Sequence, residues 1–193
     1  MTRAAGGIAL GDVSRWAEPV RALYATHTHA ESTTADGAIW SRSGALTASG
    51  RALLEQIRLA DQFGLHSTDY PANAIIYRAF AITGTAAEPA DWLALDVALS
   101  FTAARFVTHL HSGRIDPRTV GHDLDVLHAA LDLTTVLAAL ANTTDVPAVL
   151  SDYEPAFRPY ELLRRALFQY RQLAQQPELT ALPPLPARSV RGG

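Results

Sequence analysis

The stretch from Pro89 to Ser112 constrains this chain more than any other. Trp92, Leu95, Leu99, Ala103, Phe106 and Leu110 recur there in steps of three and four, which lines them up along one face of an α-helix. A proline in the first turn and Gly113 just past the end match the asymmetry of helix termini. Proline's missing N–H costs nothing at the start, and glycine turns easily at the stop. Such a stripe must be covered along its whole length, so the other segments have to pack around this helix. Arg105 and His111 fall off the stripe and are expected to stay accessible. With 193 residues, 48% of them apolar and 18% charged, the chain can bury a single core and reads as a soluble helical protein.

The flanking segments repeat the helical signal. From residue 13 to about 27, Val13, Trp16, Val20, Leu23 and Tyr24 lie at helical spacing. A small, polar stretch with Ser32, Thr33, Thr34 and Gly37 then reads as a mobile loop. Thr47 and Ser49 are both placed to cap a second helix carrying Leu53, Leu54, Ile57, Leu59 and Ala60, which stops before Gly64. Gly64 suits a left-handed stop, with Leu65 folding back as the hydrophobic contact. A short helix is expected over 72–81, with breaks from 84 to 89. A further helix is expected from 123 to about 140, apolar on most sides through Leu124, Leu127, Leu131, Leu133, Val136 and Leu137, and therefore deep in the bundle. A short helix over 144–151 and an amphipathic one over 158–175 follow. Tyr153, Phe157, Tyr160 and Tyr170 are read as core anchors. The run Pro183-Pro184-Leu185-Pro186 reads as a solvated linker. The fold class is all-α: an irregular multi-helix bundle with short connecting helices, made of a flexible segment 1–12, a helical domain 13–176 and a proline-rich tail 177–193.

Chemistry is limited by what the chain lacks. There is no cysteine to act as a thiolate, and all sixteen positive residues are arginine, which removes Schiff-base chemistry and the lysine of a phosphate loop. A formal charge of −3, with no basic block, gives no field for nucleic acid or acidic lipid. His109 and His111 are two apart on a helix and point some 200° from each other around the axis, so they cannot share an ion. His27 and His29 fall where helix gives way to loop, where pairing is geometrically open but incomplete as a metal shell. Among Asp116, Asp123, Asp125 and Asp132, helix-cap and solvent roles account for each better than paired acid–base work. Ser112-Gly113 ends a helix and Ser43-Gly44 lies in a loop, so neither is a nucleophile elbow. No catalytic, cofactor-binding or metal residue is assigned, and no cofactor, nucleic acid or membrane span is expected.

Three phrases carry a family likeness. They are Ala22-Leu23-Tyr24 leading to Ile39-Trp40 and Phe63-Gly64-Leu65-His66-Ser67-Thr68-Asp69-Tyr70; Leu95-Asp96-Val97-Ala98-Leu99-Ser100 running to Leu110-His111-Ser112-Gly113-Arg114-Ile115-Asp116-Pro117; and Tyr153-Glu154-Pro155-Ala156-Phe157-Arg158-Pro159-Tyr160 followed by Leu163, Ala166 and Tyr170-Arg171. In this order and spacing the chain resembles the helical scaffold domain that precedes the catalytic domain of large bacterial L,D-transpeptidases. That resemblance implies a non-catalytic scaffold module in peptidoglycan cross-linking or remodelling. It also implies a periplasmic location, reached with an export signal removed or never included in this chain. The implied partners are the catalytic and peptidoglycan-binding domains of the same or another envelope protein, and peptidoglycan itself. The family's catalytic histidine-glycine-cysteine signature has no counterpart here, so no catalytic residue carries over. The alternative reading is a stand-alone helical binding or regulatory protein whose groove docks a peptide or a partner helix.

Overall fold

The computed structural model describes residues 8–30, 37–83, 87–115, 117–121 and 130–176. The chain divides into two compact units, Met1–Ala156 and Phe157–Gly193, and the helical domain expected over 13–176 spans both.

The first unit is built around α4 (Pro89–Ser112), whose bounds are those the apolar stripe predicts. Trp92, Leu95, Leu99, Ala103, Phe106 and Leu110 are all buried. The large ones are each worth about 1.5–3 kcal/mol over an exposed position. By length and hydropathy α4 would also pass for a membrane span, but two thirds of its most apolar window is buried inside the unit. Its covers are α1 (Ala17–Ala30), α2 (Ala48–Arg58), α3 (Ala72–Ile82) and α5 (Leu133–Asn142), with α6 (Val146–Ser151) packed on α2 and α5.

Local signals explain most boundaries. Thr47 caps α2 by accepting the Gly50 N–H at 3.0 Å. Ser49, the other expected cap, lies inside the helix and donates instead to the Ala141 carbonyl at 2.9 Å, tying α2 to α5. Beyond α2 the chain tightens into a 3-10 turn (Ala60–Phe63) and stops at Gly64, with φ +77° and a buried Leu65 beside it. A two-stranded antiparallel hairpin, β1 (Ser41–Arg42) and β2 (Ala45–Leu46), occupies what reads as loop in the sequence. Ser43 and Gly44 both have positive φ, 51° and 72°, the geometry of a type I′ turn.

Other expectations need correction. The helix expected from 123 to about 140 is not continuous: residues 130–132 are not helical, and α5 begins at Leu133, where Asp132 accepts the Thr135 N–H as its cap. Residues 122–129, with Leu124 and Leu127, lie outside the described residues. Residues 8–12 of the expected flexible segment are held: Ile8 joins the core, and Arg105 binds the Leu10 and Asp12 carbonyls at 2.6 and 3.1 Å. Arg105 is therefore half-buried rather than free on the outer face, as is His111, which meets the Tyr153 ring edge-on.

The second unit contains α7 (Arg158–Ala174), a 17-residue helix with Pro159 in its first turn. None of its residues is buried. Phe157 and Tyr170 are exposed and Tyr160 is half-buried, so these three are not core anchors; Tyr153, in the first unit, does pack against that unit's core. The proline-rich tail lies outside the described residues.

Candidate functional site: buried clips and uncovered apolar faces

Within the first unit, residues far apart in sequence meet in two polar clips. The first is centred on Asp96, which lies on α4 between Trp92 and Leu99 and is fully buried. Its Oδ2 accepts the Tyr24 hydroxyl at 2.6 Å and the Ile39 N–H at 2.9 Å. Its Oδ1 accepts the Trp40 N–H at 2.7 Å and the Ser41 hydroxyl at 3.2 Å. One turn along α4, Ser100 Oγ accepts the Trp40 indole N–H at 2.8 Å and lies 3.0 Å from the Tyr24 oxygen. Because Tyr24 gives its proton to the carboxylate, the Ser100 hydroxyl donates to Tyr24, and the chain of bonds runs one way from indole to carboxylate.

Among the described residues, no guanidinium is a hydrogen-bond partner of Asp96. Burial pushes its carboxyl above the usual carboxylate range, while the four donors pull it back. Burial, and then the Asp96 charge, drive the Tyr24 phenol far up, so Tyr24 remains a donor. The chemical result is a joint: α1, the segment entering β1, and α4 are fastened at one point.

The second clip joins the chain after Gly64 to the end of α4. Tyr70 lies 2.9 Å from His109 Nδ1, and Asp69 forms a 2.6 Å ion pair with Arg114. Arg105 stacks over the Trp16 ring at 5.0 Å and donates to the Asp69 carbonyl at 3.3 Å. The Trp16 indole N–H is held by Thr108 at 3.0 Å. Burial, and then the Arg105 charge, lower the His109 pKa below its ordinary value and favour the neutral ring, whose tautomer sets which atom of the Tyr70–Nδ1 bond donates.

The sequence-level candidates are dispersed. His109 is bound to Tyr70 and His111 lies against Tyr153, so the two rings serve different neighbours. The backbone is helical at both His27 and His29, within α1 rather than in a loop. His27 lines a small cavity of about 190 Å³ with Leu23, Ile39 and Asn142, and among the described residues its Nε2 is buried without a hydrogen-bond partner. Asp132 is a helix cap, and Asp116, Asp123 and Asp125 lie outside the described residues. Among the described residues no three of His, Cys, Asp and Glu are grouped as a metal site would need.

Sequence reasoning passed over Asp96 as a site. The available signal was its position: Asp96 and Ser100, four apart, interrupt the buried stripe of α4. A polar pair on a core face is more informative than any exposed leucine.

Among the described residues, two apolar surfaces stand out. On the first unit, a groove of about 410 Å³ lies between β2, α2 and α3, floored by Leu54 and Ala79 and edged by Arg51, Glu55, Ile76 and Phe80. Tyr77 and Phe80 beside it are 75% and 80% exposed. On the second unit, α7 exposes Leu162, Leu163, Tyr170 and Leu173.

The described residues are almost entirely helical, with polar joints inside the first unit and apolar side chains exposed on each unit. Residues 18–167 match the Scaffold domain family, and the chain belongs to that family. The role that membership assigns is that of a scaffold rather than a catalyst. Neither the curated proteins nor the solved structures give a match. The match takes in both clips apart from Trp16 and runs on into the first ten residues of α7.

Proposed function

We propose that this chain is the non-catalytic scaffold module of a periplasmic L,D-transpeptidase system, holding catalytic and peptidoglycan-binding domains in place during cell-wall cross-linking. The observation that carries the reading is the convergence of the first two family-like phrases. Tyr24, Trp40, Asp96 and Ser100 meet in one clip, and Asp69, Tyr70, His109 and Arg114 in the other. These residues make geometry, and none is arranged around a reacting atom. The experiment is to mix the purified chain with the catalytic and peptidoglycan-binding domains of an L,D-transpeptidase and measure binding by calorimetry. Muropeptide turnover by the chain alone is followed in parallel. Binding without turnover is the expected result. Turnover above a buffer control would overturn the non-catalytic part, and absence of binding to either domain would overturn the scaffold part.

A second reading has one observation in its favour. The groove between β2, α2 and α3 is lined largely by apolar side chains and encloses about 410 Å³, which suits a stand-alone binding protein. Substituting Phe80 by serine would weaken peptide capture on this reading and leave domain binding intact on the first.

A further inference from the structure

The second unit presents a more specific surface than the groove. Along α7, Leu163, Ala166, Tyr170 and Leu173 follow steps of three, four and three, the spacing of a helix–helix seam. Leu163 and Tyr170 are 70% and 71% exposed, and Leu162 lies beside them. The helix of 17 residues is about 25 Å long, room for two heptads of a partner. Ala166 in the middle of the seam leaves space for that partner to approach closely.

Charge decides what kind of partner fits. The helix carries Arg158, Arg164, Arg165 and Arg171 against the single Glu161. By helical register, Arg158 and Arg165 lie along one flank of the exposed stripe, and both are exposed. A second copy of α7 would set arginine against arginine. A lipid surface would bury one apolar face, yet Phe168, 55% exposed, lies on the opposite side of the helix and would be left in water.

We infer that the Leu163–Ala166–Tyr170–Leu173 face of α7 is a docking site for an amphipathic helix with acidic flanks, carried by another domain or protein. This deepens the scaffold reading and rests on it, by naming the element that holds the partner and the chemistry the partner needs.

The test uses the full chain and a labelled three-heptad peptide with leucine at its seam positions and glutamate on its flanks. A second peptide has lysine in place of each glutamate. Fluorescence anisotropy is expected to show the acidic peptide binding at least about tenfold more tightly than the basic one. The variant Leu163→Ala with Tyr170→Ala, which keeps good helix formers, is expected to lose binding, with helicity checked by circular dichroism. Arg158→Glu with Arg165→Glu is expected to reverse the preference. Equal binding of both peptides, no binding, or binding untouched by the alanine pair would each overturn the inference. So would concentration-dependent dimerisation in sedimentation that the alanine pair abolishes, or stripe-dependent binding to vesicles of anionic phospholipid. The two readings separate in the calorimetric assay. If the transpeptidase domains bind the wild type and the alanine pair equally, the scaffold reading stands and this docking site falls. If they bind neither while the acidic peptide binds α7, the scaffold reading falls and the site stands.

Discussion

Tyr24 donates its hydroxyl to the Asp96 carboxylate across 2.6 Å, joining helices α1 and α4 from positions 72 residues apart. The same carboxylate holds the Ile39 and Trp40 N–H groups, so removing it strands donors that are themselves buried. Each stranded buried donor costs about 1–3 kcal/mol. Asp96→Ala is therefore expected to lower the unfolding free energy by at least about 3 kcal/mol in urea titrations. Tyr24→Phe, which removes one bond to a charged acceptor, is expected to cost about 1.5–3 kcal/mol. Asp96→Asn does not rescue the site, because an amide offers one acceptor oxygen where four donors converge. A variant at Asp96 as stable as wild type would mean that the clip does not hold the fold.

Burial of His109 beside the Arg105 charge gives the protein a pH dependence that lowers stability toward acid. The folded state lowers the His109 pKa below its ordinary value of 6.5, so the unfolded chain takes up the proton first. The contribution is fully present above that ordinary value and is lost as pH falls through it toward the lowered folded value. Chemical denaturation at pH 7.5 and pH 5.5 is expected to show a larger drop for wild type than for His109→Gln. Identical drops would assign the pH dependence to other groups.

Core and surface leucines are expected to separate cleanly. Leu99 is fully buried on α4, and Leu99→Ala is expected to cost about 2–5 kcal/mol. Leu163 is exposed on α7, and Leu163→Ala is expected to stay within about 0.5 kcal/mol of wild type. A large loss at Leu163 in thermal unfolding would show that the α7 stripe is packed in the free chain.

Gly50 lies inside α2, where alanine ordinarily stabilises a helix by about 1 kcal/mol. Here a Cβ would stand 2.8 Å from the Trp40 carbonyl oxygen, which is fixed by the Thr47 N–H. Gly50→Ala is therefore expected to destabilise the protein, the reverse of the helix-propensity rule. A rise in melting temperature would show that the Trp40 segment yields to α2.

What could be read from the sequence was what local chemistry decides. The apolar stripe of α4, Pro89 at its start, the Thr47 cap and the Gly64 stop all depend on residues within a few positions of one another, and each falls where the pattern puts it. The Ser43-Gly44 turn also carried a local signal, but strands of two residues are too short for alternation to show. Ser49 reads as a cap until the Ala141 carbonyl, 92 residues away, claims its hydroxyl. Asp96 is the clearest case: a lone aspartate in a helix reads as solvated. Its burial follows only when Tyr24, Ile39, Trp40 and Ser41 arrive from two other segments with donors aimed at it. The sequence by itself determined the helices and the apolar faces they must bury, because periodicity and caps are short-range properties. Only the tertiary structure decided which polar groups became joints and which apolar faces were left uncovered, because both depend on what packs opposite a residue rather than on its neighbours along the chain.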